Sequence, residues 1–306
     1  MIVNIPCTVY GTFVIEEKWG YNKTTAGTFA CDQVKSFFLV CVLAGIFIPL
    51  MLWIIQEAGP ALIPSLIGFS VTMILFLNLL VPTVIIPMFF TLTDLEDGDL
   101  KTKIFAESEK TEIPVSQIKV IDGSKRTSHS NAFVSGFGAF RKVVLFDTLI
   151  ESHTTEEILA VVNHELGHVA HYHILKHAFV SVIKLTVMFS LFSLVLNNPA
   201  ILVSFGLKNS SAFMYWFLFM TIYGPLGFIF QFGDMYIIRK AEYEADAYAV
   251  TFGHAKGLKE GLIKLFKHNK GSLIVDPVYS AMNNSHPTLI ERLQAIDALT
   301  KKDEQH

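Results

Sequence analysis

Four long runs almost without charge set the first limit on what this chain can fold into. Residues 36–55, 61–90 and 212–232 contain no Asp, Glu, Lys or Arg, and 178–196 contain only Lys184. A bilayer core needs about 20 apolar residues per helix, and each run approaches or exceeds that length. With 52% hydrophobic residues, 26 Phe and a mean hydropathy of +0.46, the chain exceeds the apolar share of an ordinary soluble domain. A buried core helix would explain one such run, but not four. The fold class that follows is a mainly α integral membrane protein with about four transmembrane helices. Pro64, Pro82 and Pro87 predict a tilted or kinked second span, and Gly224-Pro225 predicts a break in the fourth.

Between these spans and beyond them sits a split motif, His164-Glu165-Leu166-Gly167-His168 and Glu242-Tyr243-Glu244-Ala245-Asp246. Residues four apart on a helix share a face, so His164 and His168 can aim two imidazoles at one tetrahedral ion. Glu165, beside the first, is placed to act as general base toward a water. A catalytic zinc keeps three protein ligands and an open position, which calls for an acidic residue from elsewhere, and Glu242 is the choice. Asp246, one turn on, is expected to hydrogen-bond the far nitrogen of a ligating His and fix its tautomer. The HExxH pattern arises by chance only about 0.02 times in a chain of this composition. A polar-interface helix is thus the weaker reading, and one Zn2+ per chain is the expected cofactor. The class is a zincin, gluzincin-like, with a small β-sheet in its catalytic region.

Basic residues near the span ends set topology. The connection 56–60 has none and 197–211 has only Lys208, whereas Lys18, Lys23, Lys35, Lys101, Lys103, Lys176, Arg239 and Lys240 flank the other ends. Both termini and 91–177 are therefore expected on the cytoplasmic side, which places both halves of the motif together. That fits an endoplasmic reticulum membrane if the source is eukaryotic, or a cytoplasmic (inner) membrane if bacterial. No signal peptide is expected. Cys7, Cys31 and Cys41 give no disulfide framework. A net charge of −3 argues against a nucleic-acid partner. The three glycosylation sequons, at Asn22, Asn209 and Asn283, read as coincidence on this topology.

The expected organisation is a cytoplasmic segment 1–35, two spans in 36–90, a catalytic region 91–177, two spans in 178–232 and a second catalytic region 233–306. Within 91–116 a turn precedes a charged helix from about Leu95. Strands are expected at 117–122, 131–137 and 142–146, the last two as a hairpin. Thr154-Thr155-Glu156-Glu157 reads as the start of the motif helix, which continues to Lys176. An edge strand beside that helix can hold an extended substrate by backbone pairing. His171, His173 and His177 read as polar-interface histidines, and Lys184 as a side chain snorkelling to the membrane surface.

Several further stretches fall in order: IEEKWGYNK (15–23), Ser128-His129-Ser130-Asn131-Ala132, Val144 to Leu149, HELGH, EYEAD, and Ser285-His286-Pro287 through Glu291-Arg292-Leu293. Together they resemble the Ste24-type CAAX prenyl proteases, type I enzymes of the M48 zinc metalloprotease clan. The resemblance implies removal of the C-terminal tripeptide from prenylated CaaX proteins, with membrane lipid and other membrane proteins as further partners. It implies zinc at His164, His168 and Glu242, and Glu165 as base. Asp246 would stand behind the ligands, His286 and Arg292 would steady the substrate carbonyl or oxyanion, and Asn131 and Ala132 would lie on the substrate-pairing strand. Such enzymes usually have seven spans around a large chamber, and this chain begins where three would already have passed. The alternative is an HtpX-like membrane-protein quality-control metalloprotease of the same clan, which shares the four-span architecture. A non-catalytic scaffold is disfavoured by the intact Glu165.

Overall fold

The computed structural model describes residues 2–206, 211–273 and 275–303. Lys208, the sequon at Asn209 and the tail beyond 303 lie outside the described residues. The principal elements in chain order are α1 (Ala26–Glu57), α2 (Leu62–Leu80), β1 (Leu92–Asp94), α3 (Asp99–Lys110), β2 (Gln117–Ile121), β3 (Ala132–Ser135) and β4 (Lys142–Phe146). They continue with α4 (Asp147–Ser152), α5 (Thr155–Ala170), α6 (His173–Leu196), α7 (Ala212–Thr251), α8 (Ala255–His268), α9 (Pro277–Asn283) and α10 (Leu289–Asp303). The chain divides into two compact units, one of 1–34, 81–173 and 235–306, the other of 35–80 and 174–234.

The second unit is built from the apolar runs. Among the described residues four helical stretches are long and apolar enough to cross a membrane, Ala26–Glu57, Gly59–Phe89, His173–Leu196 and Phe213–Thr251. Their outward faces carry Phe38, Val42, Trp53, Leu75 and Leu79, all exposed, a surface that only lipid or further protein covers without cost. Their inward faces bury Leu66, Phe192 and Phe219, and the ring of Phe192 meets Trp216 and Phe219 edge-on at 5.2 and 5.3 Å. Pro82 lies in a widened π-type turn, Val81–Ile85, that continues α2. The break expected at Gly224-Pro225 is absent: α7 runs through Pro225. Membrane helices tolerate proline because neighbouring groups re-satisfy the freed backbone. Lys184, read as reaching for the membrane surface, has its Nζ 2.6 Å from Asp234 Oδ2 on the neighbouring span.

The first unit holds a four-stranded mixed sheet ordered β1-β2-β4-β3. The expected hairpin is present, with β3 antiparallel to β4 and Ala132 opposite Leu145. β1 pairs antiparallel with β2, so the stretch read as a turn is a short strand. Three residues are too few to show a period of two, and the following helix starts later, at Asp99. Ile118, Val143 and Leu145 of the sheet pack on Ile158, Val162 and Leu166 of α5. That helix opens with a capping box: Thr154 Oγ1 accepts from Glu157 N–H at 3.3 Å while Glu157 Oε2 accepts from Thr154 N–H at 2.7 Å. It ends at Ala170 and not at Lys176. Tyr172 takes a left-handed backbone conformation, φ 55°, and α6 begins at His173.

Candidate metal and catalytic site

The two motif halves meet where α5 crosses α7. Gly167 makes the approach possible, because a Cβ there would lie 3.0 Å from Ala245 Cα and Tyr248 Cβ. His164 and His168, one turn apart on α5, bring their Nε2 atoms within 3.2 Å of each other. Glu242 of α7 adds Oε2 at 3.6 Å from His164 Nε2 and Oε1 at 3.4 Å from His168 Nε2. Four ligands held tetrahedrally at the zinc–nitrogen distance of roughly 2.0–2.1 Å stand about 3.4 Å apart. The donor set thus has the spacing, the chemistry and the open face that a catalytic zinc requires. Glu242 is 4% exposed, and its Oε2 accepts no hydrogen bond. His286 Nδ1 is 2.7 Å from that oxygen without making a hydrogen bond to it. A buried carboxylate oxygen without a donor, turned toward two imidazole lone pairs, fits a cation.

The groups behind the donors are ordered by hydrogen bonds. Asp246 Oδ1 lies 2.9 Å from His164 Nδ1. Arg292 of α10 donates to the same carboxylate through Nε at 2.8 Å and Nη2 at 2.6 Å, and its Nη1 stands 3.7 Å from Glu242 Oε2. Arg292 is therefore engaged chiefly with Asp246, a buried bidentate pair. Glu165 faces the cavity in front of the donors. Burial pushes its carboxyl above the ordinary glutamate range, against the pull of His164 and His168. That is the direction a general base needs to approach neutrality.

The cavity measures about 340 Å³. Its lining includes the polar Glu165, His164, Glu242, His286 and Arg292 and the apolar Leu258, Leu262, Leu265 and Phe266. Asn131 and Ala132 border it. Asn131 precedes β3, its side chain is turned onto Ala132 N–H at 2.9 Å, and its carbonyl accepts from Phe146 N–H at 3.0 Å. Ala132 opens β3, the edge strand of the sheet. All nine singled-out residues thus lie around one cavity or behind its donors.

Two sets of residues escape the sequence reading. His173, read as an interface histidine, is buried with its Nδ1 2.9 Å from His168 Nδ1. Arg239, read only as a topology marker, holds Glu291 at 2.9 and 3.0 Å and donates to the His286 carbonyl at 3.3 Å, tying down the His286 loop. Its spacing from the motif carries no signal; only the fold brings it there.

A membrane-embedded metallopeptidase of the HExxH-plus-Glu type is the class this fold and site define. Residues 94–300 match Peptidase family M48, and residues 1–91 match the family described as "CAAX prenyl protease N-terminal, five membrane helices". The chain belongs to the M48 peptidases, among the CAAX prenyl protease 1 homologues, and is an integral membrane zinc metalloendopeptidase. It is 38% identical to a CAAX prenyl protease 1 homolog of Arabidopsis thaliana over 98% of this chain and 71% of that one. Against CAAX prenyl protease 1 of Saccharomyces cerevisiae the figures are 36%, 98% and 70%. The crystal structure of S. mikatae Ste24p superposes with a TM-score of 0.92 at 36% identity, covering 97% of this chain and 72% of that one. The quality-control alternative is not favoured by these relatives.

Proposed function

We propose that this endopeptidase removes the C-terminal tripeptide from prenylated CaaX proteins, with one zinc at His164, His168 and Glu242 and the site facing the cytoplasm. The observation that carries the reading is the donor triangle of 3.2, 3.4 and 3.6 Å at the head of a cavity edged by β3. The names of the relatives supply the substrate class. The charge asymmetry of the connections supports the orientation. Segment 91–177, between the second and third spans, and segment 233–306, after the fourth, furnish the two halves of the site.

In this reading, an extended substrate pairs its backbone with the β3 edge at Ala132, and Asn131 borders the bound chain. An aliphatic side chain next to the scissile bond meets the apolar Leu258, Leu262 and Leu265. When bound, zinc acidifies water and polarises the scissile carbonyl. A carboxylate oxygen of Glu165 takes the proton of the attacking water and returns it to the leaving nitrogen. Asp246 holds the proton of His164 on Nδ1, and Arg292 keeps Asp246 charged and in place. His286 stands at the cavity rim, 64% exposed, where its ring can meet the substrate carbonyl.

The test is a time course on a farnesylated CaaX peptide with detergent-purified protein, with and without a zinc chelator. Chelator-sensitive release of the tripeptide is expected. One bound zinc per chain with no release, but with cleavage of an unprenylated membrane-protein client, refutes the substrate assignment.

A further inference from the structure

His168 turns Nε2 to the donor triangle, so its Nδ1 faces away, and there it meets His173 Nδ1 at 2.9 Å. His173 is 3% exposed, and its Nε2 lies 2.9 Å from Glu244 Oε2. Proton positions follow from valence. An imidazole that offers the Nε2 lone pair to a cation carries its proton on Nδ1. His168 Nδ1–H then donates to His173 Nδ1, His173 carries its own proton on Nε2, and that N–H donates to the Glu244 carboxylate. We propose that His173 and Glu244 are positioning residues that fix the tautomer and ring orientation of His168, as Asp246 and Arg292 do for His164. The proposal rests on the reading of His164, His168 and Glu242 as the metal-binding set.

The backbone is shaped for this contact. On an unbroken helix a residue five positions beyond His168 would lie about 140° around the axis from it. The chain instead leaves α5 at Ala170 and passes through Tyr172 in the left-handed region, a conformation that bulky residues rarely adopt. Strain of this sort persists where the surroundings over-determine it, often beside functional groups. The turn brings the His173 ring to 5.0 Å from that of His168, centroid to centroid. Glu244 reaches His173 from α7, the helix that carries Glu242. α7 thus contributes the donor Glu242 and, through Asp246 and Glu244, the carboxylates that stand behind both donors of α5.

Metal affinity is the readout, measured on the detergent-purified full chain by competition with a chromophoric zinc chelator. The visible absorption of cobalt(II) in the site serves as a second signature. His173→Ala and Glu244→Ala are each expected to weaken zinc by about 10- to 100-fold, the usual effect of losing a group behind a ligand, and to alter the cobalt spectrum. The double variant should lose no more than the worse single one, because the two residues act in series. His173→Gln, whose amide oxygen can accept from His168 Nδ1–H, should recover part of the affinity. Glu244 has a side chain 29% exposed, so Glu244→Ala decides the matter if His173→Ala fails to fold. Wild-type affinity and spectrum in Glu244→Ala overturn the proposal, and so do additive losses. Zinc binding that survives Glu242→Ala at wild-type affinity overturns the metal-site reading itself.

Discussion

Replacing Gly167 with Ala tests whether the close crossing of α5 and α7 sets the metal site. The added Cβ would stand 3.0 Å from Ala245 Cα, 3.0 Å from Tyr248 Cβ and 3.1 Å from Ala245 O. None of these is the free end of a flexible side chain. Ordinary carbon contacts begin at about 3.5 Å, so the two helices must separate by roughly 0.5 Å. Two donors ride on α5 and the third on α7, so the separation falls on the donor distances of 3.6 and 3.4 Å. Metal sites tolerate deviations of about 0.2 Å. Overpacking a close-packed contact costs about 1–3 kcal/mol. If that cost falls on the metal-bound state, zinc affinity drops by about 5- to 150-fold, at 1.4 kcal/mol per factor of ten. The assay is chelator competition, run beside thermal unfolding of the metal-free protein. Gly257→Ala is the control: its Cβ would meet Glu156 O at 2.7 Å, at the opposite end of α5. It should lower the unfolding midpoint and leave zinc affinity near wild type. A Gly167→Ala protein with wild-type affinity and an unchanged midpoint would refute the idea that helix approach fixes the donors.

Other predictions follow from single residues. Glu165→Gln should retain zinc and lose turnover by about 10²- to 10⁴-fold, whereas Glu242→Ala should lose both; equal retention of zinc in the two variants would contradict the ligand assignment. Glu157 is pushed up by burial but held below its ordinary value of 4.5 by the Thr154 N–H and Lys264. Its stabilisation is therefore complete above pH 4.5 and is lost as pH falls through the lower folded value. Acid unfolding curves of wild type and Glu157→Gln should converge at the acid end, and parallel curves would count against the cap. Asp234→Asn strands the Lys184 ammonium between membrane helices and should cost on the order of 1–2 kcal/mol. That is less than the 3–5 kcal/mol of a fully buried pair, because the side chains are 29% and 30% exposed. The charge-swapped pair should recover the midpoint of thermal inactivation in detergent, and an unaffected single variant would return Lys184 to the membrane surface.

The parts of this molecule legible in the sequence are those coded locally. Four membrane helices follow from run length, the start of α5 from Thr154 and Glu157, and the HExxH face from spacing alone. A hydrogen bond from Asp246 to a ligating histidine was also expected, because Glu242 and Asp246 share a helical face; which histidine, His164, only the fold decides. What escaped depends on contacts remote in sequence or on departures from ideal geometry. β1 is too short to show alternation, and it exists through pairing with β2. Helical spacing sets His173 away from His168, and only the left-handed turn at Tyr172 reverses that. Pro225 reads as a breaker by the rules for water-soluble helices, which do not hold in lipid. Arg292 was expected beside the substrate carbonyl; it lines the cavity, and the grip of Asp246, 46 positions earlier, on its Nε and Nη2 is a contact that no local pattern encodes.

The division of the donors between α5 and α7 has a consequence for biosynthesis. A ribosome that has made α5 has produced two imidazoles and Glu165, but Glu242 lies 74 positions beyond His168, after two further membrane-length runs. Two imidazoles alone make a weak and unselective metal site. Hydrolytic competence therefore arrives late, after the fourth span has been synthesised and the helix emerging from it has docked on α5. Delayed assembly keeps the insertion machinery and neighbouring nascent chains apart from an active protease until the last span is in place.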